Sequence, residues 1–304
     1  MQRHYRLDAD KIVECGPGEA QVWVYVAPDE TERRSLVEEM KLDEHTLASS
    51  LDPDELARVE FEPDHTAIIF KRPKSYSSED NFLFRVGSTG LFLFKDRLII
   101  VTADEVALFE GRPFLRVPSL PYVVLKLLYR VIFHYNQHLR AIHGISDELE
   151  QQINMSMENK YLLNMFTLEK SLVYYVSAIN SNGALMEKLK LNAGKLGFTA
   201  ENLEFLDDII IENNQCYRQA EIYSNVLASL MDARASIVAN NLNLLIRTLT
   251  VITIVIMLPT LVVSIFSMNV KLPVPQEHPA AFWAVLGLSL GAAGTFWAYW
   301  SRRK

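Results

Sequence analysis

Two stretches near the C-terminus, 248–270 and 279–300, contain no charged residue, and they constrain everything else the chain can be. Each is long enough to cross the hydrocarbon core of a bilayer, which takes about 20 apolar residues in a helix. The first is rich in Ile, Leu and Val, while the second has Trp283 near one end and Trp297, Tyr299 and Trp300 near the other. That is where an aromatic belt sits at the two membrane interfaces. A hairpin in a soluble core would keep one polar face per helix, and both runs are apolar all round. Only the loop 269–278 separates them, so the two helices are antiparallel neighbours. Arg247 precedes the first span and Arg302, Arg303 and Lys304 follow the second, whereas the loop has one Lys balanced by Glu277. The positive-inside rule then predicts both termini in the cytoplasm. The first eleven residues alternate charge without an apolar core and read as no secretory signal.

The rest of the 304 residues suffices for a soluble domain of ordinary size. The formal charge of −7 argues against nucleic acid, whose phosphates need clustered Lys and Arg, and is compatible with handling cations. Cys15 and Cys216 form no CxxC pair and read as reduced thiols in a cytosolic setting.

From 21 to 117 the signals are mixed. Val22–Val26 reads as a strand, Asp29 caps a helix over 30–40, and 42–50 reads as a second short helix. Strands are expected over 67–71, 82–86 and 97–102, with turn chemistry at 74–81 and 87–90. This predicts a partly antiparallel sheet with helices packed on it. Beyond Pro118 and Pro121 the pattern turns helical, over 123–143 and then as a long helix pair from 145 to about 190. Gly194–Gly197 breaks it. From Asn202 no Pro or Gly occurs until Pro259, so a stalk helix of roughly 80 Å, at about 1.5 Å per residue, can enter the membrane without interruption. The expected organisation is an α/β domain over 1–120, a helical hairpin over 121–200, a stalk over 201–247, spans over 248–268 and 279–300 joined by an external loop over 269–278, and a basic tail over 301–304.

One stretch resembles a known family. Ser236-Ile-Val-Ala-Asn-Asn-Leu-Asn-Leu-Leu-Ile-Arg-Thr-Leu-Thr, then Met257-Leu-Pro-Thr and Phe266-Ser-Met-Asn-Val, is similar to the first transmembrane helix of CorA-type divalent-cation (magnesium) transporters. That family usually ends this helix in Tyr-Gly-Met-Asn; here Met268 and Asn269 match and Ser267 replaces the glycine. Leu272-Pro273, the loop length, His278-Pro-Ala-Ala-Phe-Trp and, upstream, Leu51-Asp52-Pro53 with Arg58-Val59-Glu60 extend the resemblance over most of the chain. It implies a funnel-shaped α+β cytoplasmic domain on a long stalk helix, a homopentamer in the plasma (inner) membrane, and a central pore lined by the first span with the second outside it. Carried back without gaps from Asn269, it turns Asn243, Ile246, Leu249, Thr253, Met257, Thr260 and Ser264 toward the pore. Their spacings of three or four residues do make one helical face, and polar residues within a membrane usually face a cavity or a partner helix.

Mg²⁺ is reluctant to dehydrate and usually keeps several waters. A ring of Asn269 amides at the external mouth, beside Ser267 and Met268, would accept hydrogen bonds from that water shell without a fixed charge to trap the ion. Rings of Ile246, Leu249 and Met257 would close the pore by dewetting. Glycine at a helix end permits a left-handed turn that costs other residues about 1–2 kcal/mol, so Ser267 is expected to bear on conduction or ion choice. The resemblance also implies a regulatory cation site between subunits, with Asp208 at the acidic stalk position, Asp207 and Glu212 near it, and Glu79 and Asp80 as partners from the turn after a strand.

His134 and His138 stand at i, i+4 but lack the following Glu of a metalloprotease and have aromatic neighbours. No nucleophile lies beside a base, and no organic cofactor is expected. The reading is therefore of a non-enzyme: a passive Mg²⁺ channel, with Co²⁺ or Ni²⁺ as further cargo, closed by cytoplasmic cation. The alternatives are a relative that conducts poorly and acts as a scaffold or sensor, or one that moves Zn²⁺, although no Cys or His lies on the pore face.

Overall fold

The computed structural model describes residues 1–77, 80–109, 114, 116–155, 159–270 and 280–302, and these divide into two units, Met1–Met231 and Asp232–Lys304. The first opens with β1 (Gln2–Asp8), β2 (Lys11–Glu14) and β3 (Val22–Val26), followed by α1 (Glu30–Glu38) and α2 (Glu44–Leu51). Then come β4 (Arg58–Phe61), β5 (His65–Pro73), β6 (Val86–Phe94) and β7 (Leu98–Thr102), and the helices α3 (Leu120–Met155) and α4 (Asn159–Leu191). Helix α5 (Ala200–Phe266) begins in the first unit and ends in the second, which also holds α6 (Ala281–Ser301).

Among the described residues the strands form one sheet in the order β2-β1-β3-β7-β6-β5-β4. Only β3 and β7 run parallel; the other neighbours are antiparallel. The alternation of strand side chains splits the core in two. Val22, Val24, Ile68, Phe70, Leu98 and Ile100 point to the side of α3, α4 and α5. Tyr25, Ala67, Phe92, Ile99 and Val101 point to Leu36 of α1 and to Leu42 and Leu47 by α2. Asp29 caps α1 in a capping box with Glu32, and Asp43 caps α2 by accepting from Thr46 N, which satisfies N–H groups that the first turn leaves orphaned.

Three expectations are corrected. The 87–90 segment is not a turn: it is the start of β6. Its small residues give α2 room, since a Cβ on Gly90 would lie 2.5 Å from Ser50 Cβ. The strand expected over 82–86 is absent except for Val86. Asn81 and Phe82 take positive φ instead, and Phe84 is buried by stacking on Tyr76 at 4.0 Å while its N–H donates to Ser171 Oγ at 3.0 Å. The helical pattern expected over 123–143 and the next from 145 are one helix, since α3 runs through Gly144. The sequence reading gave no strand to the first fourteen residues, where β1 and β2 pair mainly through the backbone with exposed or half-buried side chains.

Polar side chains fix the helices to the sheet. Strand β5 outlasts β4, whose last pair with it is Arg58 with Ile69. Beyond that point the buried Asn182 of α4 takes the place of a strand: Lys71 N donates to its Oδ1 at 2.8 Å and its Nδ2 donates to Lys71 O at 2.7 Å. The Lys71 ammonium turns the other way, to Pro53 O and Ser88 Oγ, and Ser88 Oγ donates to Asp52 O. This pins the Leu51-Asp52-Pro53 motif to the sheet. Arg72 is buried against Thr89, Thr102 and Asp104, the last shared with Lys74.

Replacing Asn182 with Ala would leave a buried N–H and C=O of Lys71 unmatched. Chemical denaturation of the full chain in detergent should show the first unit weakened by about 1–3 kcal/mol.

Candidate functional site

In the second unit both apolar helices have two unlike sides. On α5 the less exposed residues are Val251, Ile254, Val255, Leu258, Pro259, Val262 and Phe266, and on α6 they are Ala281, Val285, Ser289, Ala292, Ala293, Phe296 and Trp300. Each set is spaced as one helical stripe, and the only described element available to cover each is the other helix. The residues expected toward a pore are all on a different side: Asn243, Ile246, Leu249, Thr253, Met257, Thr260 and Ser264 are exposed without exception. At roughly 100° per residue the centres of the two α5 sets lie about half a turn apart. Ile246, Leu249 and Met257 are 55, 66 and 62% exposed, so apolar side chains on this side have nothing against them in one chain. Thr250, seven residues after Asn243 and seven before Met257, shares the bare side. The sequence reading passed over it; the seven-residue interval was the signal.

The hydroxyls of α5 are turned back onto the helix. Thr248, Thr250, Thr253 and Thr260 donate to the carbonyls of Leu244, Ile246, Leu249 and Ile256 at 2.8–2.9 Å. Each proton is thereby committed, and the oxygen lone pairs face outward. Pro259 has no N–H, so the Val255 carbonyl one turn earlier loses its ladder partner.

The helix end is closed by its own residues. Ser267 N donates to Val263 O at 3.0 Å, Ser267 Oγ to Ser264 O at 3.1 Å, and Met268 N to Ile265 O at 3.5 Å. Ser267 is not among the described residues with positive φ. The left-handed conformation that would favour glycine there is not used, and serine fits at no backbone cost. Met268 and Asn269 are exposed.

The acidic candidates in the first unit behave differently from one another. Asp207 forms an ion pair with Lys190 at 2.8 Å. Asp208 and Glu212 are exposed one helical turn apart on α5. Asp80 accepts from Ser77 N at 2.7 Å and Ser77 Oγ at 3.0 Å, and these bonds, the backbone one first, hold its carboxyl below the usual carboxylate range. Glu79 lies outside the described residues. Among the described residues no group of three or more His, Cys, Asp or Glu is placed to hold a metal ion.

His134 and His138 pack among aromatic rings. His138 Nδ1 is 2.6 Å from Tyr175 Oη, its ring stacks on Tyr175 and meets Phe84 edge-on, and the two imidazole centroids are 4.5 Å apart. Burial, then His134, pushes the His138 pKa down to about 4. Cys216 is buried, and burial pushes its thiol up to about 12.

The family model described as "CorA-like Mg2+ transporter protein" matches residues 19–303. The chain belongs to that family. It is 24% identical over 270 residues to the cobalt/magnesium transport protein CorA of Methanocaldococcus jannaschii, covering 86% of this chain and 83% of that one. The complete structure of the CorA magnesium transporter of the same organism superposes with a TM-score of 0.82 at 21% identity, covering 100% of this chain and 97% of the other. Full-length CmaX superposes with a TM-score of 0.75 at 13% identity, covering 99% and 96%. The α/β domain, long helix and C-terminal pair of apolar helices are thus the CorA fold. Membership in a transporter family agrees with the reading of a non-enzyme.

The unfolded His138 titrates near 6.5 and the folded one near 4. Its neutral ring therefore contributes stability in full above about 6.5, and that contribution is lost as pH falls from about 6.5 toward about 4. An NMR titration should find His138 neutral at pH 5.5, and His138→Phe should flatten the acid limb of the stability profile.

Proposed function

We propose that the chain assembles as a ring of identical subunits, five by its family resemblance, and passes hydrated Mg²⁺ through the axis down the electrochemical gradient. The observation that carries this reading is the two-sidedness of α5. One side is less exposed, as is one stripe of α6, and the opposite side carries every residue expected to line a pore. With α6 outermost, such a ring turns the bare side of α5 to the axis and leaves the aromatic ends of α6 at the lipid interfaces. Heterologous contacts between identical chains close into rings of this kind. The name of the Methanocaldococcus relative supports Mg²⁺ as cargo, with Co²⁺ beside it; Ni²⁺ belongs to the same class of hydrated divalent ions.

Asn269 forms the external mouth, where five amides accept from the ion's waters, with Met268 beside it. Ile246, Leu249 and Met257 supply apolar rings that close by dewetting, and the outward lone pairs of Thr253 and Thr260 supply the steps between. Both termini are cytoplasmic, and the protein resides in the plasma (inner) membrane. Regulation by cytoplasmic cation falls to Asp208 and Glu212 of one subunit with Asp80 and Glu79 of its neighbour, because Asp207 is already paired with Lys190. Carboxylates held by a shared cation would favour the closed state. Ser267 has no positive φ, so its backbone does not call for glycine, and this supports the conducting reading over a non-conducting relative.

Proteoliposomes enclosing a Mg²⁺ dye test this. The parent should admit Mg²⁺ under an inward gradient, Asn269→Ala should abolish most of the influx, and Leu249→Asn should leak at cation levels that shut the parent. Absence of influx in the parent refutes the channel, and native mass in detergent other than five subunits refutes the stoichiometry.

A further inference from the structure

We infer that the pocket around His65, on the sheet face that packs on α1 and α2, binds an ammonium group of an aliphatic polyamine. The site uses no residue of α5 or α6 and does not depend on the pathway reading.

Helix α1 ends in a Schellman turn, in which Leu42 N donates to Leu36 O at 3.1 Å and Lys41 takes the left-handed conformation at φ 57°. Across from this end is the β4–β5 turn, closed by Glu62 N on His65 O at 2.9 Å. Together they line a pocket of about 210 Å³. Val37, Leu42 and Pro63 make its apolar walls, and Lys41, Asp43, Glu62 and Asp64 bring charge to it. Asp43 is occupied by Thr46, whose N and Oγ1 donate to it at 2.8 and 2.9 Å. Glu62 and Asp64 pair with no described cation.

His65 decides what the pocket takes. The residue is only 8% exposed and its ring stacks on Phe94 at 4.7 Å, yet it lines the pocket. No described residue hydrogen-bonds its ring nitrogens. A polar ring buried to that degree leaves its hydrogen bond to whatever enters. Burial keeps the imidazole below its usual pKa, against the pull of Glu62 and Asp64. At neutral pH the ring is therefore uncharged and offers a lone pair beside two carboxylates.

That acceptor set calls for a cation with several N–H groups. An ammonium reaches its acceptors at about 2.8 Å, against about 2.1 Å for a first-row metal, so it accepts a looser arrangement. This agrees with the lack of a metal-holding triad among the described residues. The walls of Val37, Leu42 and Pro63 suit a methylene stem beside the charge. Val37 is shared with a second pocket of about 350 Å³ between α1 and α2, where Glu30, Glu38 and Glu44 outnumber Arg33 and Arg34. A chain with spaced ammonium groups can use both pockets, and a single amine cannot.

Calorimetric titration of the full-length chain in detergent with spermidine tests the site. The parent should bind saturably. His65→Phe, which keeps an aromatic ring against Phe94 and removes the lone pair, should weaken binding about tenfold. Glu62→Gln with Asp64→Asn should weaken it at least about tenfold, and Lys41→Ala, which removes a like charge, should tighten it. Asp147→Asn, an exposed carboxylate of α3, should bind as the parent does. The double variant changes only exposed side chains, so it decides the matter even where His65→Phe fails to fold. No saturable binding by the parent overturns the site, and so does unchanged affinity in the double variant. A loss in Asp147→Asn as large as in the double variant reduces the effect to a diffuse acidic surface and refutes it. Butylamine binding as tightly as spermidine overturns the polyamine assignment.

Discussion

Hydrocarbon solvates no peptide group, and the second unit is organised around that single deficiency. A helix answers it by bonding each N–H to a carbonyl one turn back. The hydroxyls of α5 obey the same rule by donating to carbonyls of their own helix. Where the threonine protons are used in this way, those side chains turn acceptor oxygens and methyl groups outward. A surface of that kind suits an ion that carries its own donors in its water shell. The helix end follows suit, since the last carbonyls are closed by Ser267 and Met268 rather than by an outside partner.

Much of the architecture was readable because the deciding interactions are local. Uncharged runs of sufficient length, Asp29 before a short helix, and the absence of breakers after Asn202 are one-dimensional signals. What failed depended on distant contacts. The segment 87–90 read as a turn because the reason Gly90 is small is Ser50, forty residues away in sequence. The apolar residues at 82–86 read as a strand because nothing nearby says that Phe84 packs on helix residues beyond 130. Strands β1 and β2 have no clear alternation because their pairing is mostly a matter of backbone.

The set assigned to one side of α5 came from a family resemblance joined to spacing, and its members are exposed in the single chain. Its relation to α6 was not legible, because two apolar helices give no sign of which sides they turn to each other. A glycine at a helix end invites a left-handed turn, but the chain does not make one at Ser267. The acidic set was the least readable: sequence ranks Asp207 beside Asp208, and only packing reveals that Lys190 has already claimed it.

The side-chain amide of Asn182 has a consequence beyond stability. Where β5 runs past β4, an open length of backbone would offer the same donor and acceptor spacing that recruits a foreign strand. By occupying that length with an amide of matching geometry, α4 seals the sheet at the point where it is raggedest. Chains held close together at a membrane meet at high local concentration, and any open strand edge would compete with their proper contacts. A single Asn, held by helix-to-sheet packing, keeps that competing route shut at Lys71.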